Sequence, residues 1–353
     1  MSKAQELVKN QGLSGMIITD PYNMRHISGF RGGEGALYVS ATQQVLITDS
    51  RYTEQAEKES DFTIVQEHRG HTREEILKEC LEKEEGTLAI GYEDQSLLCC
   101  QFDRMTKALP VKEWVALGGK VDELRRIKTA EEIEYLAKAE AIGDVAFSKI
   151  LDFLKPGITE LEVAAELEYQ MKKAGAEDLG FNTIIASGLN SSMPHAIPGR
   201  KKLEMGDFIT MDFGCKYEGY CSDMTRTVVL GKASEKQKEI YQVVLEAQLA
   251  GLAALKPGVT GRSVDQAARD IIVKAGYGDC FGHSLGHSVG LFIHEKPGLA
   301  PADETILEAG MIETVEPGIY VPGFGGVRIE DMVLVTEDGY RNLASSPKEL
   351  IEL

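Results

Sequence analysis

The sequence predicts an α/β N-terminal unit, a mixed sheet with helices on its faces, followed by an α+β unit built from an internal repeat. Three observations carry this. Short apolar strands alternate with amphipathic helices up to residue 122. A capping-box signature, Thr129 followed by Glu132, opens a long helical stretch. Beyond it, Leu154-Lys-Pro-Gly-Ile-Thr159 recurs as Leu255-Lys-Pro-Gly-Val-Thr260. We therefore divide the chain at 1–122 and 123–353.

In the first unit, residues 4–10 form a short helix. Gly15–Thr19, Ala36–Ser40 and Gln44–Thr48 are strands. A helix begins within Asp49–Ala56, with Asp49 or Ser50 as its cap. Thr72–Glu84 is a charged amphipathic helix and Thr87–Gly91 a further strand. His68 and His71 fall in a polar loop and read as solvated; Arg31 and Arg51 read as surface arginines. No cluster of chemistry-bearing residues appears here.

The second unit opens at Asp122, and its helix runs from Thr129 to about Phe153. The repeat then governs it. Lys173-Ala-Gly175 recurs as Lys274-Ala-Gly276, and Leu203-Glu-Met-Gly206 as Leu307-Glu-Ala-Gly310. Each half thus contributes helix, helix and strand hairpin. The stretch Met211–Asp223 delivers Asp212 on an apolar run and Asp223 after a Gly- and Tyr-containing turn. That spacing suits two adjacent antiparallel strands, each presenting a carboxylate to one place. Taken alone, the pair reads as surface turn and cap aspartates. The repeat reverses this, because it aligns Asp212 with Glu316 and Asp223 with Glu330. Four carboxylates at a pseudo-two-fold axis repel unless cations or protons intervene.

Of seven histidines, His283, His287 and His294 fall within one Gly-rich stretch, and His195 lies in Ser192-Met-Pro-His-Ala196. Acids with imidazole make a hard, oxygen-rich donor set. Such a set favours Mn²⁺, with Co²⁺, Fe²⁺ or Zn²⁺ also accommodated. Four acids overcharge a single divalent ion, so two ions with a bridging hydroxide are expected, an arrangement suited to hydrolysis.

Composition bounds the rest. The chain has 353 residues, is 43% hydrophobic, and carries a net charge of −18. That balance argues against nucleic acid or an anionic membrane as partner. The N-terminus has no signal-peptide apolar core, and no apolar run reaches the length of a membrane span. Six scattered cysteines without paired zinc spacing fit reduced thiols in a cytoplasm, with Cys99 and Cys100 as packed hydrophobes.

At these motifs the chain resembles the metal-dependent Xaa-Pro peptidases of the pita-bread fold, proline dipeptidase and aminopeptidase P. The resemblance covers nearly the whole chain. It is carried by the Asp212/Asp223 pair and by Gly282-His-Ser-Leu-Gly-His287 and Leu291-Phe-Ile-His-Glu-Lys-Pro297. Val315-Glu-Pro-Gly-Ile-Tyr320 and Gly326-Val-Arg-Ile-Glu-Asp331 complete it. The departure at Ser284-Leu285 leaves every one of those positions in place.

The resemblance implies that Asp212, Asp223, His287, Glu316 and Glu330 bind two metal ions, and that Glu316 also moves a proton. It implies catalytic or substrate-binding roles for His195, His283 and His294, and a supporting role for Arg328. The N-terminal residues resemble the family's creatinase-like domain, which implies a homodimer. The expected reaction is hydrolysis of a dipeptide or short peptide before a proline in second position. Aminopeptidase P activity on longer peptides is the near alternative. Methionine aminopeptidases fit the extra domain and the His195 region less well. Metal-free relatives such as creatinase lose carboxylates that this chain keeps, and a purely structural ion site would leave three histidines idle.

Overall fold

Residues 1–86 and 88–353 are described by the structure, a computed structural model. Two compact units emerge, Met1–Arg125 and Arg126–Leu353.

The first unit runs α1 (Lys3–Asn10), β1 (Gly15–Ile18), α2 (Pro21–Ser28), β2 (Ala36–Ser40), β3 (Gln44–Thr48), α3 (Thr53–Glu59), β4 (Thr63–Gln66), α4 (Arg73–Leu81), β5 (Ala89–Tyr92), α5 (Cys99–Ala108) and β6 (Glu113–Ala116). Its six-stranded sheet has the order β4-β3-β2-β1-β5-β6. The β1–β2 and β2–β3 pairs are antiparallel, whereas β1–β5, β5–β6 and β3–β4 are parallel. This is the expected mixed sheet. Side chains alternate across it. Met16 and Ile18 pack with Ala4, Val8, Met24 and Ala56 on one face, and Ile17 packs with Ile76, Leu77 and Met105 on the other.

Three readings in this unit change. The helix expected from Asp49 starts at Thr53 behind Tyr52, without a side-chain cap. Asp49 instead accepts from the Arg51 backbone N–H and closes a turn. Cys99 and Cys100 are exposed rather than packed. They lie in the first turn of α5, whose inward face is carried by Phe102, stacked on Tyr92, and by buried Met105. The expected strand from Thr87 runs Ala89–Tyr92, and Thr87 itself lies outside the described residues.

The second unit runs α6 (Ala130–Ile150), α7 (Glu160–Lys173), β7 (Asp178–Leu179), β8 (Ile184–Ser187), β9 (Phe208–Phe213), β10 (Cys215–Tyr217), β11 (Tyr220–Cys221) and β12 (Met224–Val229). It continues with α8 (Glu235–Ala254), α9 (Gly261–Lys274), β13 (Gly286–Ser288), β14 (Glu295–Leu299), β15 (Ile312–Val315), β16 (Gly318–Val321), β17 (Gly325–Arg328), β18 (Asp331–Val335) and β19 (Tyr340–Asn342). The repeat is visible as two helix pairs, each followed by its own sheet, β12-β9-β8 and β14-β13-β15-β18-β19.

Caps set the helix starts. Thr129, Thr159 and Ser234 each accept from the backbone N–H three residues on, and the residue there reaches back. Such boxes satisfy two of the backbone donors that a helix start leaves unpaired. In the first half, α6 and α7 cover Ile209, Met211 and Phe213 of β9 and Met224 of β12. In the second, α8 and α9 cover Val315, Val333 and Val335. Alternation therefore leaves Asp212 on the opposite face of β9 from this packing, towards the interior between the two halves.

Candidate metal centre

Asp212 sits in β9 opposite Thr225 of β12, and Asp223 immediately precedes β12. In the second half Glu316 follows β15 and Glu330 immediately precedes β18, with Val315 opposite Asp331. The backbone N–H of Glu330 donates to the Thr225 carbonyl at 3.1 Å, which joins the two hairpins across the repeat. His287 enters from β13.

Ligand-type atoms of Asp223, His287 and Glu330 all lie within 4.8 Å of one another. His287 Nε2 is 3.5 Å from Asp223 Oδ2 and 3.6 Å from Glu316 Oε1. Its Nδ1 lies 3.2 Å from the Ser288 carbonyl oxygen, which can only accept. Nδ1 therefore carries the proton. Burial lowers the His287 pKa to about 4, so the ring is neutral and the Nε2 lone pair faces carboxylate oxygens. Acceptors facing acceptors in a buried site need a cation or a proton between them.

The acids show the same tension. Burial, then the charge of Glu330, raises the Asp223 pKa well above its usual range. Burial and Glu330 raise Glu316 likewise. Burial and Asp212 push Glu330 up to about 8. Asp212 Oδ1 is buried and has no protein partner. Protons are the carboxylates' alternative to a cation, and clustered carboxylate oxygens beside a lone-pair nitrogen are a donor set that divalent ions satisfy. The residues fit the expected metals.

A ring of hydrogen bonds surrounds these groups. Arg328 Nη2 donates to Asp212 Oδ2 at 2.6 Å, Nη1 to the Tyr320 hydroxyl at 2.8 Å and Nε to Thr225 Oγ1 at 3.1 Å. Thr225 Oγ1 in turn donates to Glu330 Oε2 at 2.6 Å. His283 Nε2 is 2.9 Å from the Tyr320 hydroxyl, and His283 Nδ1 is 2.8 Å from the Ser284 carbonyl. Burial holds the His283 pKa near 4. The neutral ring donates through Nδ1 and accepts from Tyr320, so both its nitrogens are engaged within the protein. His294 is exposed, and its ring lies edge-on to His287 at 4.6 Å. His195 is also exposed, and the carbonyl of its neighbour Pro194 accepts from Arg328 Nη1 at 3.4 Å.

Eight of the nine residues singled out by sequence are thus linked by short contacts, and His195 adjoins them through the backbone of Pro194. Sequence reasoning missed Thr225, Tyr320 and Glu140. Tyr320 lies within the Val315–Tyr320 motif but carried no signal of its own. Glu140 is a wholly buried acid of α6 whose Oε2 accepts from the Asp223 backbone N–H at 3.3 Å. A single acid inside a charged amphipathic helix gives no sign of facing inward.

A repeated helix-pair and hairpin frame closing on buried acids and one neutral imidazole is the architecture of a metallopeptidase. Residues 134–337 match metallopeptidase family M24, and residues 1–127 match the creatinase/prolidase N-terminal domain. The chain belongs to metallopeptidase family M24, and its catalytic unit has the pita-bread fold. It is 41% identical to an Xaa-Pro dipeptidase of Pyrococcus furiosus, over 99% of each chain. An Xaa-Pro dipeptidase structure from Bacillus anthracis superposes with a TM-score of 0.95 at 44% identity, covering 99% of this chain and 98% of that one. An X-Pro aminopeptidase structure from Thermotoga maritima gives 0.92 at 37% identity, over 100% of both chains. No helix among the described residues is long and apolar enough to cross a membrane.

Proposed function

We propose that the protein is an Xaa-Pro dipeptidase whose Asp212, Asp223, His287, Glu316 and Glu330 hold two divalent cations, with Mn²⁺ favoured. The observation that carries the reading is the His287 Nε2 lone pair directed at Asp223 and Glu316, 3.5 and 3.6 Å away. When bound, the cations would activate a water as nucleophile and polarise the scissile carbonyl. Preference for a proline bond rests on similarity to the Pyrococcus and Bacillus dipeptidases along their whole length.

The chain's own residues supply the rest. The bond before proline is a tertiary amide, and its nitrogen must gain a proton to depart. Glu316, whose carboxylate lies 3.6 Å from His287 Nε2 at the heart of the cluster, is the acid placed to relay that proton from the activated water to the leaving nitrogen. The exposed rings of His195 and His294 donate hydrogen bonds to the developing oxyanion and the substrate carboxylate. His283 lines the substrate side and engages the Tyr320 hydroxyl, while Arg328 orients Asp212. The reading places the boundary of the creatinase-like unit at residue 122, and includes a homodimer and a cytoplasmic setting.

Aminopeptidase P activity is the second reading, favoured by the match to the Thermotoga X-Pro aminopeptidase. Metal analysis of the purified protein, with kcat/KM on Gly-Pro and Gly-Pro-Xaa, tests both. The dipeptidase reading expects preference for Gly-Pro. Preference for the tripeptide transfers the assignment to the aminopeptidase, and equal rates on Ala-Pro and Ala-Ala reject proline specificity altogether.

A further inference from the structure

On the β14-β13-β15 sheet, Glu295, Ser288 and Glu313 form one cross-strand row, because Ser288 pairs with Glu295 on one side and Glu313 on the other. Directly paired side chains share a face. His287, one residue earlier, points to the opposite face, towards the metal centre. The register shifts between His287 and Ser288, a bulge of the kind that re-aims side chains. Behind the row lies Lys128, from the segment that precedes α6. Its Nζ donates to Glu295 Oε2 at 3.1 Å, to Ser288 Oγ at 3.4 Å and to the Arg126 carbonyl at 3.4 Å. The Lys128 and Glu295 side chains are 1% and 4% exposed. Glu313 is wholly buried, has no hydrogen-bond partner for either carboxylate oxygen, and feels the same lysine charge.

A buried pair of this kind gives little net stability relative to apolar packing, so its use is better sought in what it fixes. It fixes the loop 289–294. Glu295 Oε1 accepts from the Phe292 backbone N–H at 3.2 Å. A Cβ on Gly290 would stand 2.5 Å from a Glu295 carboxylate oxygen, so the loop folds closely over that group. The Gly290 N–H donates to the Phe292 carbonyl at 3.1 Å, and the Gly290 carbonyl accepts from the Cys221 N–H at 2.9 Å. The next side chain before Glu295 is His294, edge-on to His287.

We propose that Lys128 and Glu295 are positioning residues, whose buried ion pair on the rear of the sheet fixes the 289–294 loop and holds His294 against the metal centre. This rests on the assignment of His294 as a substrate-facing donor. Misplacing a catalytic group by about 1 Å costs on the order of 10²-fold in rate.

The test is a cycle of Glu295→Gln, His294→Ala and their combination, with kcat and KM measured per folded, metal-replete chain. Glu295→Gln is expected to lower kcat about 10- to 100-fold with KM little changed, by the same proximity argument. In the His294→Ala background it should cost less than about threefold, because the two changes remove one shared interaction. Independent, multiplying losses overturn the proposal. If Glu295→Gln strands the lysine charge and fails to fold, Lys128→Met/Glu295→Gln removes both charges and takes its place in the cycle.

A crystal structure of the folded variant supplies a readout apart from activity. Displacement of the His294 ring from its 4.6 Å contact with His287 supports positioning, and an unchanged contact overturns it. Should His294→Ala keep full kcat, the substrate role of His294 fails, while the structural readout still decides whether the ion pair positions the loop.

Discussion

Arg328 and Asp212 divide the aspartate's two oxygens between different tasks. The guanidinium takes Oδ2 at 2.6 Å and leaves Oδ1 buried without a protein partner. The same guanidinium spans Tyr320 and Thr225, so three of its donors fix one orientation. Arg328→Met therefore releases Asp212 to rotate and leaves Glu330 with a less constrained Thr225. We expect metal affinity to fall about 10- to 100-fold, as for other groups that orient ligands. Arg328→Lys should restore little, because an ammonium lacks the planar fork. Metal titration followed by calorimetry checks this; wild-type affinity in Arg328→Met would remove the residue from the centre.

The buried acids make the metal-free protein sensitive to pH. Glu330 titrates near 8 in the folded chain, raised by burial and Asp212, against about 4.3 when unfolded. Its stabilising contribution is complete below the unfolded value and lost as pH rises through about 8. Asp223 and Glu316 shift in the same direction. His287 runs the other way: its folded pKa near 4 gives a contribution complete above about 6.5 and lost as pH falls through about 4. Between pH 6.5 and 8.5 the His287 contribution is constant while that of Glu330 is being lost, so the metal-free Tm should fall across that window. Cations that bind the folded state offset the repulsion. The gap in Tm between Mn²⁺-loaded and chelator-treated protein should widen from pH 6.5 to 8.5. A constant gap in scanning calorimetry would contradict the assignment of these acids as ligands.

Gly286 precedes the ligand His287 and has no room for a side chain. A Cβ there would sit 1.9 Å from the Thr314 carbonyl oxygen and 2.9 Å from Thr314 Oγ1, the group that accepts from the His287 N–H. The obstruction is backbone in the neighbouring β15, which cannot yield without moving Glu316. Gly286→Ala should destabilise the fold by about 1–3 kcal/mol or more and weaken metal binding with it. Gly282→Ala, with nothing within 4 Å of its Cβ, serves as the control. Equal Tm for the two variants would count against this account.

These relationships differ in how far the sequence discloses them. Capping boxes are local, so the start of α6 at Thr129 is read directly. The repeat equates Asp212 with Glu316 and Asp223 with Glu330, which is why four acids can be placed at one site before any coordinates. α2 escaped notice because its eight residues, Pro21–Ser28, bury only Asn23, Met24 and Ser28, too few for a period. β4 and β6 are edge strands without a fully buried residue, so their alternation is faint. The inward placement of Glu140, Lys128 and Glu295 was invisible for another reason. Charged residues normally face water, and only the chain's three-dimensional path turns these inward.

Ligands and substrate-facing groups should separate under mutation. Asp223 is buried, lies 3.5 Å from His287 Nε2, and holds its carboxylate against Glu330 and Asp212. Asp223→Asn removes a charge that a cation would balance, because an amide donates less charge than a carboxylate. Metal content should fall, and activity should return in part with excess Mn²⁺. His294 differs in having an exposed ring that touches His287 edge-on. His294→Ala should leave metal stoichiometry and Tm near wild type. Loss of one transition-state donor typically costs roughly 10²–10³ in kcat, or about 3–4 kcal/mol at 1.36 kcal/mol per tenfold. Extra metal should not restore it. Were His294 a packing residue, its truncation would lower Tm and leave the rate of the folded fraction intact. Its exposure argues against that, since little apolar contact is lost. Stoichiometry, Tm and kcat measured on both variants decide the matter: normal kcat in His294→Ala would show that the residue is not a donor, and loss of its metals would place it inside the ligand set.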